Sequence, residues 1–400
     1  MAIWAVSSWA ASPCYVFRIE ATLSARRAVF VHSEEIEKYR YPEDCPFKTE
    51  RAGRTRRTLY TMGLLWGETT REVPPAPAPR PVLKKFHSAR YLHALRSAQD
   101  GKWELDALQM GIGTPDCPIF KGMYDYAVLA AGGTLVGAEM ILSGEADIVF
   151  NPSGGYHHAF PEKAAGFCYI NDNALACAVL AEAGKRVLYL DVDVHNGDGV
   201  AFGFYNRSDV MTISLHENPK TLFPGTGFEE EIGEGPGRGY CVNLPLPVGT
   251  FDQAYLHAFE AVVPPLIGAY NPDVIVFELG ADTLAGDPLA HLQLTNNVYV
   301  EVINHLLRLN KPILATGGGG YHLENTVRAW ALAWTIFSGQ DLAEGMDAAI
   351  GGIMLQSMDW QGGFRDRELP VTNQQREMVL PALQASIETI RARVFPIHGL

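Results

Sequence analysis

Asp191-Val-Asp193-Val-His195-Asn-Gly-Asp198-Gly199 decides how this chain is read. It follows directly on the apolar run Arg186-Val-Leu-Tyr-Leu190, which has the pattern of a buried β-strand. Strand alternation puts Asp191, Asp193 and His195 on one face of its end. Carboxylates at a buried strand end are costly unless something cationic compensates them. A divalent metal bound by Asp193 and His195 is the natural compensation.

Outward from this stretch, strands and helices alternate. Residues 147–150, 187–193, 210–215, 273–279 and 312–316 read as strands, and 171–183, 252–267, 296–309 and 324–337 as helices between them. Further helices are read at 88–98, 123–143 and 375–394, and 33–65 as helical with loops. Such alternation predicts a parallel sheet with helices on both faces. The Pro-rich stretch 72–81 reads as an extended connection inside one unit. Polar clusters follow the strands: Gly154-Gly-Tyr-His157-His158, the Asp/His stretch, Gly280-Ala-Asp282, and Gly317-Gly-Gly-Gly320-Tyr321. Ligand crevices in open parallel sheets lie at the carboxyl ends of strands, so these segments are expected to converge.

The chain has 400 residues, 47% of them hydrophobic, which is enough for a large core. No apolar run reaches transmembrane length, and no membrane partner is expected. The net charge of −13 argues against direct nucleic-acid binding. Six cysteines without a CxxC spacing suggest reduced thiols and a cytoplasmic protein.

Asp193, His195 and Asp282 make a set of two carboxylates and one imidazole, which leaves a position open on a metal. His157 and His158, facing that metal, suggest general acid–base work. Asp191 and Asp198 are left over and could orient the two imidazoles. The Gly quartet lacks the Lys-Ser/Thr of a phosphate loop. It would instead bring backbone close to a ligand and swing Tyr321 toward a carbonyl. Phe167 and Phe223, both in loop-like contexts, could wall a narrow apolar channel.

These motifs resemble the zinc-dependent histone deacetylase family, most of all its class I branch and the bacterial acetoin-utilisation deacetylases. The resemblance runs from about residue 28 to 339. Its motifs are Gly154-Gly-x-His-His-Ala, Gly166-Phe-Cys-Tyr-x-Asn-Asp, Asp191-x-Asp-x-His-x-Gly-Asp-Gly, Phe223-Pro-Gly-Thr-Gly, Gly280-Ala-Asp-x-Leu-x-Gly-Asp-Pro and Gly317-Gly-Gly-Gly-Tyr. It implies an arginase-like three-layer α/β/α fold with a central, mostly parallel eight-stranded sheet. A single deacetylase domain would occupy 27–400, after an extension at 1–26 to which the sequence assigns no structure.

The implied activity is removal of acetyl or other acyl groups from lysine side chains of proteins or peptides by metal-activated water. The resemblance places Zn²⁺, with Fe²⁺ as the alternative in the cell, on Asp193, His195 and Asp282. It makes His158 general base and acid, His157 its electrostatic partner, and Tyr321 the carbonyl-polarising group. Gly166, Phe167, Phe223 and Leu289 would line the acyl-lysine channel, and Asp116 would hold substrate backbone at the rim. Structural K⁺ or Na⁺ is implied near Asp191, Ser214 and Leu215, and near Phe204, Val210 and Tyr240.

The sequence departs from the family pattern at Asn196, where a second histidine is usual, and at Cys45-Pro, where His-Pro is common. Arg51 matches an arginine of the family's inner cavity. Two other activities are compatible with the resemblance, an acetylpolyamine deacetylase and a non-catalytic acyl-lysine-binding scaffold. The apolar Leu289 and the lack of a long insertion speak against the first; an intact ligand set and Tyr321 speak against the second. A two-manganese ureohydrolase would need bridging aspartates in an Asp-x-His-x-Asp order, whereas this strand end reads Asp-x-Asp-x-His.

Overall fold

The computed structural model describes residues 26–102, 105–340 and 360–400. Cys14 and all of the proposed extension except Arg26 lie outside the described residues. Eight strands form one sheet: β1 (Ala28–Val31), β2 (Thr70–Val73), β3 (Ile148–Asn151), β4 (Val187–Asp191), β5 (Val210–Glu217), β6 (Cys241–Leu246), β7 (Val274–Glu278) and β8 (Ile313–Thr316). Their order is β2-β1-β3-β8-β7-β4-β5-β6. Every pairing in it is parallel.

Both faces of this sheet are covered, which is why its inner strands read as continuous apolar runs. Phe30, Phe150, Leu188, Leu190, Ile275 and Phe277 pack on one side with helices Asp252–Tyr270, Asn297–Arg308, Leu323–Phe337 and Asn373–Arg393. Val29, Val149, Val187, Tyr189 and Val276 face the other way, onto Met123–Leu142 and Asp172–Glu182. Met123–Leu142 corrects one expectation, because it is long and apolar enough by length and composition to cross a membrane. Most of its residues are buried on all sides against β3, β8 and the neighbouring helix, as in a core helix.

Three strands escaped the pattern reading. β2 and β6 are the sheet edges. The first is polar (Thr-Arg-Glu-Val), and the second carries Asn243 and Pro245, a residue type that edges tolerate. β1 is only four residues long. The sheet order also explains the convergence of the motifs. The four strands followed by them, β3, β8, β7 and β4, are consecutive neighbours.

Candidate active site

The site stands on a polar row across the strand ends. Register pairs Asn243 with Ser214, Ser214 with Asp191, Asp191 with Glu278, Glu278 with Thr316, and Thr316 with Asn151. All six are buried. Glu278 was not anticipated from the sequence, although it is a carboxylate ending an apolar strand, the same signal that marked Asp191.

One step beyond the row, the loops after β4 and β7 bring three ligand-type residues together. His195 Nδ1 lies 3.1 Å from Asp193 Oδ1 and 3.1 Å from Asp282 Oδ2. All three residues are buried. Donors sharing one ion at ~2.1 Å stand roughly 3.0–3.4 Å apart, so the triad already has coordination spacing. One imidazole and two carboxylates suit a divalent ion with nitrogen and oxygen ligands and leave room for further ones. Backbone holds the carboxylates in place. The Val194 N–H donates to Asp282 Oδ1 (2.9 Å) and the Gly319 N–H to Asp193 Oδ2 (2.6 Å). A Cβ on Gly319 would lie 1.8 Å from Asp282 Oδ2, and one on Gly280 2.0 Å from Asp193 Oδ2. The Gly quartet therefore makes room for metal-ligand carboxylates and not for a phosphate.

The two histidines sit side by side above this triad. His157 Nε2 and His158 Nε2 are 3.0 Å apart. Each imidazole turns its Nδ1 to a carboxylate, His157 to Asp191 Oδ2 (2.9 Å) and His158 to Asp198 Oδ1 (2.8 Å). Glu278 adds a second carboxylate, its Oε1 lying 3.1 Å from His157 Nδ1. Burial disfavours charge on His157, yet Glu278, Asp191 and Asp193 outweigh it and raise its pKa well above the ordinary histidine value. Burial first, and then the charge on His157, push His158 down to about 4. The pair is thus split into one charged and one neutral imidazole, an arrangement that separates electrostatic and proton-accepting roles.

Aromatic rings form the walls. Phe223 packs edge-on to His158 (centroids 4.9 Å apart) and lies 6.2 Å from His195. Phe167 lies 5.7 Å from Tyr321, whose ring is 6.3 Å from His195. Phe223 is 46% exposed and so marks the mouth. Burial, reinforced by Asp282 and Asp193, raises the Tyr321 phenol well above its usual value, which keeps it a proton donor. Asp287, part of the motif that begins at Gly280, has a role that its sequence context did not reveal. Its Oδ2 accepts the Tyr321 N–H (2.7 Å) and its Oδ1 the Leu289 N–H (2.9 Å), tying the two loops together.

The remaining residues from the sequence reading fall around this centre. Asp116 is half-buried and does more than edge the rim. Its Oδ2 accepts the Gly166 N–H (2.9 Å), its Oδ1 the Thr114 hydroxyl (2.7 Å), and its carbonyl the Phe167 N–H (3.0 Å). It holds the channel wall. Leu289 is half-buried on the loop after β7. Arg51 is buried and donates to the Gly320 carbonyl at 2.8 Å, with its guanidinium over Phe47 and Trp330. Asn196 is absorbed into packing, donating to Asn243 Oδ1 (2.9 Å), and Cys45 is buried. Of the residues implied for monovalent cations, Ser214 stands beside Asp191 in register, with Leu215 next to it. Phe204 ends the helix before β5, Val210 opens that strand, and the Tyr240 carbonyl accepts the Thr212 N–H at 2.8 Å.

Comparison with known proteins agrees with this geometry. The family described as "Histone deacetylase domain" matches residues 45–337. Histone deacetylase 8 of Xenopus tropicalis is 38% identical over 319 residues, covering 79% of this chain and 85% of that protein. The acetoin utilization protein AcuC of Bacillus subtilis is 38% identical over 324 residues, covering 79% and 83%. Among solved structures, an HDAC homolog complexed with SAHA superposes with a TM-score of 0.81 at 31% identity, covering 92% of this chain and all of that one. An HDAC homolog from Aquifex aeolicus gives 0.79 at 31% identity, covering 90% of this chain and all of the other. The eight-stranded arginase-like α/β fold, the motifs at its strand ends and these matches place the chain in the histone deacetylase family, as a deacetylase.

Proposed function

We propose that this deacetylase is zinc-dependent and removes acyl groups from the lysine side chains of proteins or peptides. The observation that carries this reading is the set of aromatic rings around the site, Phe223 against His158 and His195 and Phe167 against Tyr321, which would wall an apolar passage. Such a passage suits the four-carbon stem of an acyl-lysine, whose charge acylation has removed. An acetylpolyamine keeps at least one ammonium, which an apolar passage would have to desolvate.

A Zn²⁺ held by Asp193, His195 and Asp282 would polarise the acyl carbonyl and lower the pKa of a water. His158, kept neutral, accepts the proton of the attacking water at Nε2, while Asp198 holds its Nδ1–H. His157, kept charged, steadies developing negative charge beside it. The Tyr321 hydroxyl donates to the carbonyl oxygen as it becomes an oxyanion. The proton on His158 then passes to the leaving lysine amine.

The substrate reading is tested by a hydrolysis screen over acetyl-, propionyl- and butyryl-lysine peptides with acetylputrescine and acetylspermidine alongside. Acyl-lysine peptides should exceed the polyamines in kcat/KM by at least about tenfold, a difference of ~1.4 kcal/mol in transition-state binding. A higher kcat/KM for acetylspermidine would refute it.

A pH profile tests the role of His158. A base must be neutral to act, so lowering its pKa extends activity toward acid. With His158 near 4, kcat/KM should be essentially undiminished at pH 6 in fully metallated enzyme. An unshifted imidazole would be only about a quarter neutral there. An acid limb centred near the ordinary histidine value would show that another group is the base.

A further inference from the structure

Asp191 and Glu278 are direct neighbours in register on adjacent parallel strands, and both are completely buried. Like charges so placed repel, and only Asp191 is fully satisfied, by the Asp193 N–H (3.0 Å), the Tyr189 hydroxyl and His157. The single Tyr189 hydroxyl proton faces two acceptors, Asp191 Oδ2 at 2.7 Å and Glu278 Oε2 at 2.8 Å. Asn173 Nδ2 also donates to Glu278 Oε2. Glu278 Oε1 accepts no hydrogen bond, because His157 Nδ1, 3.1 Å away, turns to Asp191 Oδ2. It points toward the catalytic triad, into a space bordered by His157 and Asp193.

Donor atoms of His157, Asp193 and Glu278 all lie within 4.8 Å of one another. The shorter separations, His157 Nδ1 to Asp191 Oδ2 (2.9 Å) and to Glu278 Oε1 (3.1 Å), equal the ~3.0 Å edge of an octahedron with ligands at ~2.1 Å. A glycine leaves the space open, since a Cβ on Gly318 would come 3.0 Å from both Asp193 Oδ2 and Glu278 Oε1. We propose that a second divalent cation binds here, held by His157, Asp193 and Glu278 with Asp191 at its edge, so that Asp193 bridges two ions. Mixed imidazole and carboxylate donors suit a first-row ion such as Mn²⁺, Fe²⁺ or Zn²⁺. The ion takes the place of the Nδ1 proton on His157, supplies the positive charge that the imidazolium carries when the ion is absent, and neutralises the Asp191–Glu278 pair. The inference rests on the metal triad only through the shared Asp193, and not on the identity of the substrate.

The test is metal stoichiometry on the full chain. Metal-stripped protein is loaded with Mn²⁺ in saturating KCl, gel-filtered, and analysed for manganese and by electron paramagnetic resonance. Wild type should retain two equivalents with a spin-exchanged spectrum, as expected of ions roughly 4 Å apart. Glu278→Gln keeps the side-chain shape and should retain one equivalent with the spectrum of isolated Mn²⁺. One equivalent in wild type with an isolated-ion spectrum, or equal stoichiometry in a folded Glu278→Gln, would overturn the proposal. Peptide turnover on the same preparations is a separate readout: two retained ions without acetyl-lysine hydrolysis would sink the substrate reading and leave this one standing.

Discussion

Asp282→Asn should empty the Asp193–His195–Asp282 site and lower kcat by about 10³–10⁴, with the fold intact. Asparagine matches aspartate in shape, so the Val194 N–H keeps an acceptor where Asp282 Oδ1 now lies 2.9 Å away. What goes is one of two anionic ligands facing His195, and with it the affinity for a divalent cation. The rate loss follows from the several kcal/mol that a Lewis acid contributes to charge stabilisation at a carbonyl, at 1.36 kcal/mol per decade. Stability should move the other way. Burial and the nearby Asp193 raise the Asp282 pKa to about 7 in the metal-free protein. A carboxyl whose folded pKa exceeds its unfolded value costs stability as pH rises between the two. At pH 8 the metal-free variant should therefore melt at or above metal-free wild type. Adding Zn²⁺ should raise the melting temperature of wild type far more than that of the variant. Near-normal turnover with undiminished zinc affinity would remove Asp282 from the ligand set.

What could be read from sequence divides along place in the sheet, with β1 the exception, an interior apolar strand that went unread. β3, β4, β5, β7 and β8 are interior strands, each with an apolar run. A strand enclosed on both faces must show such a run. β2 and β6 pair with another strand on one side only, so Arg71 and Pro245 are admissible there and the pattern disappears. The count of eight strands came from family resemblance and not from periodicity. The same division holds at the site. Asp193, His195 and Asp282 could be found because carboxylates and imidazoles crowded at buried strand ends have few explanations. Asp287 could not, because its task is to bind the backbone amides of Tyr321 and Leu289, and sequence does not show which amides need an acceptor. Asp116 shows a related limit. Beside the substrate contact that its type suits, its carboxylate and carbonyl hold Gly166 and Phe167, a task its type does not announce. Glu278 is the instructive omission, because the argument that singled out Asp191 applies equally to it. Only register reveals that the two carboxylates are neighbours.

Tyr321→Phe should lower kcat for an acetyl-lysine peptide by about 10²–10³ and leave metal content and melting temperature nearly unchanged. The size is that of losing one oxyanion-hole donor. The ring does the structural work at this position, packing against Phe167 and facing His195, and phenylalanine keeps the ring. The backbone is anchored separately, through the Tyr321 N–H to Asp287, which the substitution does not touch. Only the hydroxyl is lost, and with its pKa raised by burial that hydroxyl is protonated throughout the working range and available to donate. A donor aimed at an oxyanion acts on the transition state more than on the bound amide, so the loss should fall on kcat with KM little changed. The pH profile should keep its shape, because the proton acceptor is His158 and not the phenol. A variant that turns over within a few-fold of wild type, or one whose loss lies wholly in KM, would show that Tyr321 serves as channel wall and not as oxyanion donor.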